Sequence, residues 1–489
     1  MLNPKLTRGL LWVAVIALAI TVLLLALRVA SLRNIPPLEP WHTWVPQELH
    51  SDALDRADWP TYLAAEATLM QAMRKEMAAS LQPFERVAYN RYFDQSQVYP
   101  GHFATDWNRS YELRPDGPVR GAAVLLHGLS DSPYSLRHLG EHLRQQGYVV
   151  VAIRLPGHGT VPAGLTDATW QDWLAATRLA VREAQAQRPQ GAPLLLVGFS
   201  NGGALALKYT LDALDDPSLA LPAQLVLISP MIGVTRYARF AGLAGLPALL
   251  PAFAKAAWLN VLPEFNPFKY NSFPIAAARQ TVGLTGEVQR RLEAASRSGS
   301  LAHLPPVLTF QSLADSTVST PAVVSGLYDR LPRNGSELVL FDLNRSLSFG
   351  PLLRPEMAAL GTRLLPERER PYALTVVSNT PENREATATR TPANSLQPTR
   401  QPLGVDYPAD LFSLSHVALP FPPDDTLYGQ HPGNQENFGI HLGTLTPRGE
   451  RGVLIVGLDL FQRVTSNPFY GYLVQRIDQQ LAGEGGTAH

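Results

Sequence analysis

Gly198-Phe199-Ser200-Asn201-Gly202 forms a G-x-S-x-G string. The chemistry it suggests is nucleophilic. A serine hydroxyl attacks weakly at neutral pH and becomes effective when a base takes its proton and a third group orients that base. The string follows the apolar run PLLLV and precedes the helix-like GALALKYTLDAL, so a strand leads into a sharp turn and a helix leads out. Such a turn strains the serine backbone and lifts the hydroxyl above a sheet, and glycines at 198 and 202 relieve the crowding. A glycine turn with an idle serine is the plain alternative. The strand-turn-helix placement favours Ser200 as a nucleophile on an elbow flanked by Gly198 and Gly202.

The acid and base are sought downstream. Asp315, in PVLTFQSLADSTV, stands just past an apolar run, where its side chain reaches the sheet edge that carries Ser200. Asp342, at the end of ELVLFD, is the rival; the order Ser, Asp, His favours Asp315. Four histidines follow both aspartates: His416, His431, His441 and His489. His489 is terminal, and His431 and His441 lie among Gly, Asn, Pro and Gln and read as solvent-facing. His416, in ADLFSLSHVALPFPPDD, has a short apolar approach and suits a residue presented at a strand end. An oxyanion needs two donors in place before charge develops. The backbone amides of Leu129, after His127-Gly128, and of Asn201, after the nucleophile, are the expected pair. His127, and His158 in RLPGHGT, read as turn-shaping residues.

Six apolar runs must position these groups: Ala122 to His127, Tyr148 to Ile153, Pro193 to Gly198, Gln224 to Ser229, Pro306 to Gln311 and, as a further candidate, Glu337 to Asp342. They alternate with helical stretches at Pro133 to Gln146, Thr169 to Gln187, Gly202 to Leu214, Pro321 to Leu331 and Phe469 to Leu481. That alternation predicts an α/β fold, a mostly parallel sheet covered by helices on both faces. Residues 119–489 form this domain. Two insertions interrupt it: about 231–303, apolar and aromatic, reads as a helical cap, and about 343–410 reads as a flexible loop because Asn379 to Gly404 has no hydrophobic period.

Ahead of the domain, Gly9 to Leu27 is a run of 19 residues without a charge, which as a helix spans about 28 Å, near the thickness of a bilayer's hydrocarbon core. Residues 1–30 are therefore expected to be a transmembrane anchor. Residues 31–118 read as a proline-punctuated juxtamembrane spacer and N-terminal extension with a helix from Thr61 to Leu81. Lys5, Arg8 and the amino group precede the span and Arg28 and Arg33 follow it. The balance leans toward a cytoplasmic N-terminus and a domain outside the cytoplasm, in a bacterial inner membrane.

Composition sets bounds on the chemistry. With no cysteine, disulfides, thiolate metal sites and cysteine nucleophiles are excluded. The 41 basic residues balance 41 acidic ones, which gives no support to a nucleic-acid partner. No H-E-x-x-H, P-loop or dinucleotide fingerprint is found, so no metal or cofactor is expected.

The segments VLLHGLSDSPYSL, RLPGHG, VGFSNGG, QSLADSTV and SHVALP together resemble the monoacylglycerol lipase and lysophospholipase-like branch of the α/β-hydrolases, grouped with serine aminopeptidase-like hydrolases. The resemblance covers roughly Gly121 to Leu331 and the tail from Asp410. It implies a Ser200-His416-Asp315 triad, a helical cap after the sixth strand and hydrolysis of a carboxylic ester, with an acyl-ester or lipid-like small molecule as substrate. The long segment ahead of His416 departs from the family's pattern. Two other readings use the same residues: a non-catalytic membrane-anchored binding protein on a hydrolase scaffold, and an acyltransferase or peptidase. Within the cap, Phe240, Leu243, Leu246, Leu249, Leu250, Phe253, Trp258 and Leu262 recur at near-helical spacing and are expected to line an acyl pocket.

Overall fold

The computed structural model describes residues 4–31, 35–233, 251–346, 354–446 and 455–483. Twelve strands are found among them: β1 (Tyr111–Leu113), β2 (Gly121–Leu126), β3 (Tyr148–Ile153), β4 (Leu194–Phe199), β5 (Gln224–Ile228), β6 (Trp258–Asn260), β7 (Phe273–Pro274), β8 (Val307–Ser312), β9 (Glu337–Phe341), β10 (Ala373–Thr380), β11 (Asn383–Thr391) and β12 (Thr399–Asp406). Ten of these form one sheet in the order β1-β3-β2-β4-β5-β8-β9-β10-β11-β12, and β6 pairs with β7 separately. The stretch from β3 to β10 is parallel, while β1, β11 and β12 are antiparallel edges. Parallel strands are buried on both faces and need apolar residues at every position. That is why the six apolar runs are strands, with ends displaced by at most a residue.

Alternate residues feed two cores. On one face Val149, Val151 and Ile153 of β3 pack with Trp173, Leu179 and Leu205 from the helices Trp170–Gln187 and Asn201–Ala213. On the other, Val150 and Ala152 meet Leu139 and Leu143 of the helix Arg137–Gln145, and the same core takes Leu473 and Ile477 of Tyr470–Leu481.

Three expectations need correction. Asn379 to Gly404 is not a flexible loop: β10 pairs parallel with β9, and β11 and β12 extend the sheet as a meander. Its Thr, Asn and Arg residues face solvent along an edge, while Ala386 and Ala388 alternate inward to the core. An edge strand with one wet face carries that composition without being disordered. Residues 31–118 are not a mere spacer either. Arg154, buried just past β3, takes its counter-charges from Glu48 at 2.7 Å and Glu66 at 3.1 Å, and its carbonyl accepts from Tyr62 Oη at 2.6 Å. A buried guanidinium requires such partners, so the extension and its helix Trp59–Ser80 are part of the domain.

The third concerns the cap. Phe240 to Leu250 and the side chain of Phe253 lie outside the described residues. Trp258 is buried and stands edge-on to the His42 ring at 4.8 Å, so it wedges the cap against the N-terminal extension instead of lining an acyl pocket. Near-helical spacing did not hold here, because the chain runs as a 3-10 turn, Pro251–Ala257, and then as β6. The cap's long helix is Ile275–Ser298. At the N-terminus, Pro4–Ser31 is helical with Leu11, Trp12, Ile16 and Leu23 exposed. No membrane span is established among the described residues.

Past His416 the chain is held by Asp425. Its buried carboxylate accepts from Arg137, from Tyr134 Oη at 3.0 Å, from the amides of Leu427 and Tyr428 at 2.9 and 2.6 Å, and stands 2.9 Å from His138 Nε2. Burial alone would push this carboxyl up, but Arg137 and His138 outweigh it and hold it well below the usual range. The native state therefore gains stability from ionised Asp425 above the unfolded value near pH ~4, and loses it as pH falls through the lower native value. Asp425→Asn leaves buried Arg137 with Glu436, at 3.3 Å, as its remaining carboxylate and is expected to cost about 3 kcal/mol, read as a lower urea midpoint at pH 7. A midpoint like the wild type's would show that the clamp is dispensable.

Candidate active site

The register of the parallel strands sets the site. Leu126 of β2 lies opposite Gly198 of β4, so the residues that follow each, Leu129 and Asn201, leave the sheet at the same carboxyl edge. Next to β5, β8 ends at the same edge and is followed by Asp315.

Ser200 sits between β4 and the helix Asn201–Ala213 with φ 54° and ψ −112°. A non-glycine residue at positive φ is strained and persists only where its surroundings hold it. Here its amide donates to the Ile228 carbonyl at 2.9 Å, and its carbonyl accepts from Gly203 at 3.0 Å and Met231 at 2.9 Å. The flanking glycines have no room for a side chain. A Cβ on Gly202 would fall 1.9 Å from the Leu126 carbonyl oxygen, and one on Gly198 would fall 2.4 Å from that of Gly202. The turn therefore requires glycine at both positions, as the G-x-S-x-G spacing implied.

His416 and Asp315, 101 residues apart in sequence, meet through Nδ1 and Oδ2 at 2.9 Å, both buried. A carboxylate only accepts, so Nδ1 carries the proton and Nε2 is left as the basic nitrogen. The other oxygen of Asp315 accepts from the amides of Thr317 at 2.7 Å and Val318 at 3.0 Å, and Gln311 Nε2 donates to Oδ2 at 3.1 Å. Burial pushes the Asp315 carboxyl up, but His416 and these amides outweigh it and hold it below its ordinary value. The imidazole lies 5.2 Å from the ring of Phe199, the residue before Ser200. His416 is on a turn past β12, not at a strand end.

The rival acid has other work. Asp342 accepts from Arg345 at 2.8 Å and from Ser378 at 3.0 Å. His431 and His441 are exposed, and His489 lies outside the described residues. Among the described residues the amides of Leu129 and Asn201 have no hydrogen-bond acceptor, which leaves both free to meet a developing negative charge. His127 and His158 are buried. Nε2 of His127 accepts from the Leu155 amide at 3.0 Å, and burial holds its pKa well below the usual value and that of His158 near 3. Both are neutral struts between turns.

Two features went unread in the sequence. Gln311, a polar residue inside an apolar strand, was the visible signal for the support of Asp315. The loop after β2 is held from the cap: the Tyr270 amide donates to the carbonyl of Ser130, itself at φ 61°, at 2.8 Å, and Lys269 reaches Asp131 at 3.4 Å. Nothing local in the sequence announces those contacts. Among the described residues no cluster of His, Asp and Glu is arranged to hold a metal ion.

Residues 117–343 match the family model described as serine aminopeptidase, S33. A thermostable monoacylglycerol lipase from Bacillus sp. (strain H-257) is 28% identical over 180 residues, 36% of this chain and 66% of that protein. The 30 kDa subunit of magnesium-chelatase from Rhodobacter capsulatus is 32% identical over 142 residues, 28% of this chain and 45% of that one. The chain thus spans less than two thirds of the length of these curated relatives. Among solved structures, a metagenome-derived lipolytic enzyme is 22% identical with a TM-score of 0.39, covering 48% of this chain and 88% of its own. A soluble variant of monoglyceride lipase from Saccharomyces cerevisiae is 16% identical with a TM-score of 0.38, covering 47% and 81%. Residues 117–343 of the chain are thus similar to the serine aminopeptidase S33 family, and part of that stretch is similar to a monoacylglycerol lipase.

Proposed function

We propose that this chain hydrolyses carboxylic esters of the acylglycerol or lysophospholipid class through an acyl-enzyme on Ser200. The observation that carries the reading is the buried 2.9 Å contact between His416 and Asp315 at the sheet edge that presents Ser200. In this mechanism Nε2 of His416 takes the Ser200 Oγ proton as the oxygen attacks the ester carbonyl, and Asp315 stabilises the imidazolium that forms. The carbonyl oxygen gains negative charge and is met by the amides of Leu129 and Asn201. The C–O bond to the alcohol breaks, His416 returns the proton to the leaving oxygen, and a water activated by the same nitrogen releases the acid.

A cleft of about 480 Å³ with Leu343, Phe412 and Leu414 in its wall reaches Asp315 and His416 but is not lined by Ser200, so the lipid-like class rests chiefly on similarity. The Bacillus relative is described as a monoacylglycerol lipase. Anchoring is part of the proposal and rests on Gly9 to Leu27: an uncharged run of that length in a continuous helix suits a bilayer better than water. The charges flanking it lean toward a cytoplasmic N-terminus, which puts the catalytic domain outside the cytoplasm in this reading.

Asp315→Asn is expected to lower turnover by about three to four orders of magnitude, since the histidine loses its orienting acceptor, whereas Asp342→Asn leaves the proposed chemistry in place. The reverse ranking would move the acid to the next strand. Because Asp315 is depressed in the folded state, its stabilising contribution is complete above the unfolded value near pH ~4 and is lost as pH falls through the lower native value. The stability gap between wild type and Asp315→Asn should therefore close in acid.

For the substrate class, efficiency on p-nitrophenyl esters is expected to rise with acyl length. Burying each pair of added carbons is worth up to about 1.6 kcal/mol, roughly tenfold in kcat/KM, until the acyl site is full. A flat or falling series from acetyl upward removes the lipid-like substrate and leaves the esterase reading. Trp258→Ser, by contrast, should lower stability without changing the slope of the series.

A further inference from the structure

The N-terminal helix ends at Ser31, and the chain resumes at Ile35, whose carbonyl accepts a hydrogen bond from Lys255 Nζ of the cap at 2.8 Å. Four Cα steps separate those residues, so they lie at most about 15 Å apart. If the helix is in a bilayer, the tether is too short for the domain to float free of it. The surface around Ile35 has to face the lipid.

That surface has an unusual make-up. Pro36, Pro37, Trp41, Phe84, Tyr89 and Leu262 line a cleft of about 160 Å³. Phe84 is 70% exposed, Leu259 44% and Val45 42%. The exposure of Phe84 is built in. It occupies the middle of the 3-10 turn Pro83–Glu85, in which Glu85 is turned inward to accept from the Gln82 amide at 2.5 Å, leaving Phe84 directed out. Arg86, also exposed, and Lys255 add basic groups beside these apolar ones. Exposed aromatic and aliphatic side chains with basic neighbours are the composition of an interfacial contact, the rings at headgroup depth and the cations at phosphate level. Three carboxylates also line the cleft: Glu264 accepts from the amides of Asn271 and Ser272 and Glu85 from that of Gln82, while burial and the neighbouring Glu85 push Glu39 up to about 7.

We infer that this face lies flat on the bilayer surface, with Phe84 and Leu259 entering the boundary between headgroups and acyl chains. The inference rests on the anchoring proposed above. Most of the face comes from the N-terminal extension, outside the residues that match the family model. It fixes the orientation of the domain and sets the cap's 251–263 stretch at the lipid surface.

The chain has no cysteine, so a single introduced cysteine labels one position. Phe84→Cys and Leu259→Cys, each carrying an environment-sensitive fluorophore, would be compared in full-length protein reconstituted into phosphatidylcholine vesicles containing a lipid-borne quencher. Val405→Cys on β12, an exposed apolar position near the far edge of the sheet, is the control, and Ile16→Cys reports the anchor. Each labelled protein is first checked for unchanged hydrolysis of a soluble short-chain ester. The expected result is that labels at 16, 84 and 259 lose most of their emission and 405 keeps its own. Quenching at 16 with 84 and 259 behaving like 405 would overturn the docking while leaving the anchor intact, and would turn this face over to a protein partner. No quenching at 16 would remove the anchor and the docking together.

Discussion

The hydrogen bond between Nδ1 of His416 and Oδ2 of Asp315 closes a span of 101 residues, and the C-terminal third of the molecule is organised around that closure. Bringing such distant residues together has an entropic cost that rises slowly with length and must be met by contacts along the way. Among the described residues of this span, β9 and β10 continue the parallel sheet and β11 and β12 fold back along its edge, before His416 meets Asp315 just past β8. Two buried carboxylates hold the return. Asp425 ties it to the helix Arg137–Gln145, and Glu337 on β9 receives Arg476 of the last helix together with Thr375 at 2.7 Å. Each pairs a buried charge with several donors, the condition under which such groups specify one arrangement instead of weakening the core.

Opposite the acid and base, the strained turn is fixed by contact with β2. The 1.9 Å approach of a notional Cβ at Gly202 to the Leu126 carbonyl means that the start of the helix after Ser200 packs directly on the strand leading to Leu129. The two free amides are thereby set by one backbone contact, before any substrate arrives, which is what electrostatic stabilisation of a developing oxyanion requires. The cap adds a further hold on the same loop through Tyr270 and Ser130. Cap and elbow thus both bear on the loop that carries Leu129.

Much of this was legible in the sequence because parallel strands leave a strong mark. The runs from Ala122 to Gln311 are apolar at nearly every position, and glycine at 198 and 202 marks a turn that admits nothing larger. The pairing of Asp315 with His416 agrees with the chain order read in the sequence, whereas the expected strand-end placement of His416 does not hold. The β10 to β12 meander was not, since its outward Thr and Arg residues mask the inward Ala386 and Ala388, and small inward residues give a weak period. Trp258 was misread because spacing along a chain does not say which neighbour a face meets; the answer, His42, lies more than 200 residues earlier. The long-range ion pairs of Arg154 with Glu48 and Glu66 leave no local trace for the same reason.

The central claim is that Ser200, strained at φ 54° at the sheet edge where His416 and Asp315 pair, is the group that becomes acylated. The most direct measurement is reaction of the full-length protein with a fluorophosphonate, followed by mapping of the modified peptide. The account predicts stoichiometric labelling at Ser200, loss of ester hydrolysis in step with it, and no labelling of Ser200→Ala in a protein that remains folded. Labelling at another serine, or ester hydrolysis that persists once Ser200 is fully modified, would contradict it.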